Sequence, residues 1–125
     1  MSIYRKHRML VEDLAKPGRD IVNSLTANPE EGATKAHLLH MAVGVAGEAG
    51  ELLDAIKKHV IYDKALDLDN VIEELGDIEF YMQGLRAELG LHQEDILEEN
   101  VTKLRARYAE GSYSNEAAQT RRDKA

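Results

Sequence analysis

The sequence has no cysteine, which excludes disulfides, thiolate metal sites and a cysteine nucleophile. It has no tryptophan, one phenylalanine and five tyrosines, so Leu, Ile, Val, Ala and Met must supply most of any core. Only two prolines occur, Pro17 and Pro29, and everything beyond Pro29 is free to be helical. No apolar run is long enough to span a bilayer; the longest, Met41 to Ala46, contains Gly44. The first fourteen residues carry charges throughout and lack the apolar stretch of a secretory signal, so the expected location is the cytosol. A net charge of -7 argues against binding duplex nucleic acid, and no membrane partner is expected. A nucleotide is still compatible, because metal ions screen carboxylates from phosphates.

What is present is a chain of 125 residues, suited to one domain over 1–125, with a helical core at about 2–110 and a polar basic tail at 111–125. Ser2 to Ala15 reads as a helix ended by Lys16-Pro17-Gly18. Residues 18–33 hold Asn, Thr, Pro and Gly and read as a long loop. Thr34 is a candidate N-cap for a second helix reaching Tyr62, with Leu38, Ala42, Val45, Ala49, Leu52, Ile56 and Val60 as its apolar stripe. Asp67 or Asp69 can cap a third helix, striped by Val71, Leu75, Ile78, Met82, Leu85 and Leu89 and stopped by Gly90. A fourth spans Leu91 to Tyr108 with Leu97, Val101, Leu104 and Tyr108 turned inward, and Gly111 ends it. No strand pattern competes. The expected fold is all-α, a four-helix-bundle type; so small a core favours completion by oligomerisation.

Two acidic pairs carry the chemistry. Glu48 and Glu51 lie on the second helix, Glu74 and Asp77 on the third, each pair spaced i, i+3 on one face. Both pairs fall to the same side of their apolar stripes. A short connection favours antiparallel neighbours, and both pairs stand nearly equidistant from that turn. The four carboxylates are therefore expected to converge. Converging acids raise one another's pKa and strain the site unless a cation compensates, and oxygen-only ligands suit Mg²⁺, with Mn²⁺ as a substitute. Gly44, Ala55 and Gly84 border the cluster and are read as leaving room for a ligand. The plainer alternative is a set of solvated surface acids. A ferritin-like di-iron site needs Glu-x-x-His, which the chain lacks.

Gly47-Glu48-Ala49-Gly50-Glu51-Leu52, followed by Glu73-Glu74-Leu75-Gly76-Asp77-Ile78-Glu79-Phe80-Tyr81, resembles the MazG-like all-α nucleoside triphosphate pyrophosphohydrolases. Their signature is E-E-x-x-E, a variable spacer, then E-x-x-D, and the likeness runs from about Leu38 to Tyr108. Gly47 stands where the signature has its first acid, so any supporting role there is lost, while the ligand positions match. The resemblance implies a Mg²⁺-dependent conversion of a (d)NTP and water to (d)NMP and pyrophosphate, with Glu48, Glu51, Glu74 and Asp77 as metal ligands. It makes Glu48 or Glu51 the residue that orients the water. It also implies substrate contacts by Tyr81, Asn100, Lys103, Arg107 and Tyr108, and assembly as a homodimer or homotetramer in a bacterial or phage-infected cytosol. The overall pattern is similar to compact phage-encoded members of the MazZ type, which implies dGTP or GTP as substrate. The competing class is a non-catalytic helical adaptor or nucleotide sensor.

Among the basic residues, Arg121, Arg122 and Lys124 read as a solvated tail. His37 and His40, one turn apart, precede the first acidic pair. They are within reach of a nucleobase or a partner chain, although a packed or surface role is the plainer reading. His7 reads as a core-edge residue, and His59 and His92 lie near helix ends, where a cation is favourable.

Overall fold

In the computed structural model, which describes residues 1–124, six α-helices follow one another: α1 (Ile3–Leu14), α2 (Gly18–Ala27), α3 (Pro29–Val60), α4 (Leu68–Leu89), α5 (Gln93–Arg107) and α6 (Asn115–Thr120). A 3-10 turn over Arg122–Lys124 follows, and no strand occurs among the described residues. The all-α class is as expected. No helix is long and apolar enough to cross a membrane.

The helix starts follow from their caps. Ser2 Oγ accepts the Arg5 amide at 3.3 Å and opens α1. Asp67 caps α4 by accepting the Asn70 amide at 3.0 Å, which decides between the two aspartates considered. Gly90, at φ 65°, ends α4.

The expected loop over 18–33 is the main correction. Those residues form α2 and the first turn of α3, joined at a single non-helical residue, Asn28. Asn28 ends one helix and caps the next, its Oδ1 accepting the Glu30 and Glu31 amides at 3.2 Å each. Pro29 occupies the first helical position, where its missing N–H costs nothing. Pro29 therefore starts a helix, and Thr34, the expected cap, lies inside it. Gly32 permits the sharp corner, because a Cβ there would overlap the Leu25 carbonyl.

α3 and α4 form the main packed unit, an antiparallel pair joined by a short turn. Met41 sits against Gly84, Gly44 against Tyr81, and Glu48 against Glu74, so contacts step in opposite directions along the two helices. α2 packs on the start of α3, and α5 packs on the C-terminal segment.

The seam between α3 and α4 is rotated from the expected one. On α3 the covered residues are Met41, Gly44, Val45, Glu48, Leu52 and Ala55; on α4 they include Val71, Glu74, Asp77, Ile78, Tyr81 and Met82. The acids thus lie within the helix–helix seam rather than beside it. Much of the apolar stripe faces outward: Ile56 and Val60 on α3, and Leu75 and Leu89 on α4, are exposed. On α5, Leu97, Val101 and Leu104 were expected to turn inward and are likewise exposed. Contiguous apolar exposure of this kind is unusual for an isolated domain.

The C-terminus departs from a solvated tail. Ser114 caps α6 by accepting the Ala117 amide at 3.0 Å, Ala117 is buried, and the Asp123 side chain is 2% exposed.

Candidate metal centre

Glu48 projects from the middle of α3, and Glu74 and Asp77 from successive turns of α4. Each of the three offers a carboxylate oxygen, and these oxygens lie within 4.8 Å of one another. Glu74 is buried, and its Oε2 has no hydrogen-bond partner. Glu48 and Asp77 are half-buried, while Glu51 is exposed one turn further along α3. The structure thus brings three of the four expected acids into one cluster, with Glu51 outside it but close enough for its charge to act on Glu74.

The electrostatics follow from this arrangement. The Glu74 carboxyl is pushed up to about 7, first by a hydrogen bond with Glu48 that requires a proton between them. Burial comes next, followed by the negative charges of Glu48, Asp77 and Glu51. Without a cation the pair is relieved by holding a proton. A divalent cation would replace that proton and also satisfy the orphaned Glu74 oxygen. The all-carboxylate donor set and its mixture of buried and open positions fit a hard ion that keeps part of its shell for water or phosphate.

The small residues around the cluster serve packing. A Cβ on Gly44 would overlap the Tyr81 ring, and one on Gly84 would overlap Met41. The space expected for a ligand beside the backbone is filled by these two side chains, and Ala55 is buried in the seam. Glycine on one helix therefore lets a large side chain of the other lie on its backbone. Tyr81, one turn from Asp77, is fixed in this way. Its ring also meets Phe80 edge-on at 5.1 Å between centroids and His40 at 6.3 Å.

The remaining expected substrate contacts form a second group. Asn100 is exposed on α5 and Lys103 is half-buried. Arg107 donates through Nε and Nη2 to the two oxygens of Asp123 at 2.8 and 3.1 Å, a bidentate pair. Arg107 holds the Asp123 carboxyl down to about 2 despite the opposing effect of burial. The Tyr108 ring lies 5.6 Å from that of Tyr113. Lys103 and Arg107 are both among the substrate contacts that the resemblance implies; in this chain the Arg107 fork grips Asp123. Asp123 was missed at the sequence level because a lone acid among Arg121, Arg122 and Lys124 reads as tail charge.

Comparison with known proteins agrees with the geometry. Residues 37–111, more than half of the chain, match the family described as MazG nucleotide pyrophosphohydrolase domain. A protein of Mycobacterium phage L5, named Gene 37 protein, is 30% identical over 79 residues, covering 59% of this chain and 68% of that protein. No solved structure matches the chain.

Proposed function

This chain belongs to the MazG nucleotide pyrophosphohydrolase family, and on that premise we propose that it converts a nucleoside triphosphate and water to the monophosphate and pyrophosphate. The observation that carries the reading is the seam cluster of Glu48, Glu74 and Asp77 with its unpartnered buried oxygen. A helical adaptor has no use for a buried carboxylate without a donor.

Glu48, Glu74 and Asp77 would hold Mg²⁺ or Mn²⁺, with Glu51 completing the set from the exposed rim. A cation bound there neutralises phosphate charge and lowers the pKa of an attacking water. Water oxygen then bonds to the α-phosphorus, the bond from that phosphorus to the bridging oxygen breaks, and pyrophosphate leaves with the electron pair. Glu51 is suited to orient the water and take its proton, because it is exposed beside the cluster; Glu48 is committed to Glu74. Tyr81, one turn from Asp77, is placed to contact the substrate. Asn100, Lys103 and Tyr108 supply phosphate contacts once α5 is brought to the acids, and Arg107 joins them only by leaving Asp123. Within one chain α5 packs on the C-terminal segment, so that contact fits assembly as a homodimer or homotetramer. The exposed apolar faces of α3, α4 and α5 support the same assembly. Guanine nucleotides, dGTP first, are the substrates the compact phage-type pattern favours, in the cytosol of a bacterium or phage-infected host.

The test is release of pyrophosphate from a full panel of dNTPs and NTPs, with Mg²⁺ and with EDTA. Metal-dependent release from one or a few nucleotides is expected. Release from none would overturn the reading.

A further inference from the structure

We propose that His40 is a specificity-determining residue that, with Tyr81, receives the nucleoside end of the substrate; the inference rests on the reading just given. His40, Gly44 and Glu48 follow one i, i+4 ridge of α3, and Asp77 and Tyr81 follow the matching ridge of α4. At a rise of ~1.5 Å per residue, Tyr81 stands about 6 Å along α4 from Asp77, and His40 about 12 Å along α3 from Glu48. Moving away from the carboxylates, the two ridges therefore present acid, then phenol ring, then imidazole. A nucleotide whose phosphates are anchored at the acids runs in the same order, through sugar to base.

Two observations separate His40 from an ordinary surface histidine, and a third leaves its ring available. Its ring meets Tyr81 at 6.3 Å between centroids with the planes inclined at 57°, so the two rings form an open angle rather than a closed stack. Tyr81 cannot retreat, because it lies directly on the backbone at Gly44 and is braced edge-on by Phe80. His40 is exposed, and among the described residues its ring nitrogens have no hydrogen-bond partner. Contrast His59, whose Nδ1 is engaged by the Lys64 carbonyl at 2.7 Å. A fixed aromatic wall beside an uncommitted imidazole offers a face for stacking and a nitrogen for the edge of a base.

The test combines a binding readout with kinetics. The imidazole resonances of histidine-labelled protein are followed by NMR, with His40→Gln identifying the His40 signal. A non-hydrolysable α,β-methylene nucleoside triphosphate is added with Mg²⁺, and inorganic tripolyphosphate serves as the probe without a nucleoside. The His40 signal is expected to move with the nucleotide and not with tripolyphosphate. In turnover, His40→Ala is expected to raise KM about tenfold with kcat little changed, as for loss of one stacking partner. His40→Phe, which keeps a stacking face, is expected to recover part of the loss. An unmoved His40 signal, or an equal response to tripolyphosphate, overturns the inference. So does an unchanged KM in His40→Ala. With wild-type turnover intact these results leave the pyrophosphohydrolase reading standing. Absence of both nucleotide binding and turnover in the wild type overturns the two together.

Discussion

Glu74 lies buried against Glu48 in the seam between α3 and α4, its carboxyl pushed up by the hydrogen bond between the two acids, and its Oε2 has no hydrogen-bond partner. Two acids in this relationship make the fold's own stability depend on what stands between them. Glu74 is raised to about 7 from an ordinary value of 4.5, so the folded state binds more protons than the unfolded state between those values. Stability of the metal-free protein is therefore predicted to fall as pH rises from about 4.5 to 7. Thermal denaturation across that range in EDTA should show this slope, and Glu74→Gln should flatten it. Saturating Mg²⁺ should raise the melting temperature most at the alkaline end, where the cation replaces a lost proton.

The two close approaches in the seam are predicted to differ in cost. Gly44→Ala drives a methyl group into the Tyr81 ring, which is stiff and held by Phe80. Gly84→Ala meets the sulfur and Cγ of Met41, which can change rotamer. Each exchange also gains roughly 1 kcal/mol of helix propensity. Set against ~1–3 kcal/mol for overpacking, that gain leaves Gly44→Ala destabilising by a net ~0–2 kcal/mol and Gly84→Ala neutral or slightly stabilising. Chemical denaturation of both variants checks the order.

The C-terminal segment should come loose when its anchor is neutralised. Asp123→Asn removes the charge that the Arg107 fork grips, and is predicted to increase hydrogen exchange over 115–124 while α3 and α4 keep their protection. The pH dependence has the opposite sign from that of Glu74. Asp123 is depressed from 3.8 to about 2, so its stabilising contribution is complete above about 4 and is lost as pH falls toward 2. Proteolysis of the segment in acid, compared with neutral pH, reads the same transition.

Among the acids, Asp77→Asn and Glu51→Gln are predicted to retain helical content and to abolish turnover, for different reasons. Asp77→Asn should weaken cation binding. Glu51→Gln should leave the three-acid seam cluster intact, weaken cation binding less than Asp77→Asn does, and lose the group that takes the water's proton. Circular dichroism, metal titration and pyrophosphate release together separate the two. Retention of most activity by either would remove that residue from the site.

The sequence made the helices and the pairing of the acids readable because both depend on local spacing. Glu48 with Glu51 and Glu74 with Asp77 are set by helical periodicity, and a short turn brings the pairs to equal height. The rotation of the seam was not readable. An apolar stripe marks a face that wants burial and does not say which neighbour buries it. Here only part of that face is covered: Val45, Leu52, Val71, Ile78 and Met82 lie in the seam while Ile56, Val60, Leu75 and Leu89 are exposed, and Glu48 joins the contact with α4. The corner at Asn28-Pro29 was misread because the same residues that break a chain also start a helix; what distinguishes the two is the pair of amides Asn28 accepts and the close fit of Gly32 on Leu25. The Arg107–Asp123 grip depends on a fold-back after Gly111 that no periodic pattern announces.

The central claim, that Glu48, Glu74 and Asp77 form one divalent-cation centre, is tested most directly by titrating Mn²⁺ into the protein and following the free-ion signal by electron paramagnetic resonance. The wild type is predicted to remove Mn²⁺ from solution, Mg²⁺ to displace it, and Glu74→Gln to lose this binding while remaining folded. Equal Mn²⁺ uptake by the wild type and Glu74→Gln, or none by the wild type, would contradict it.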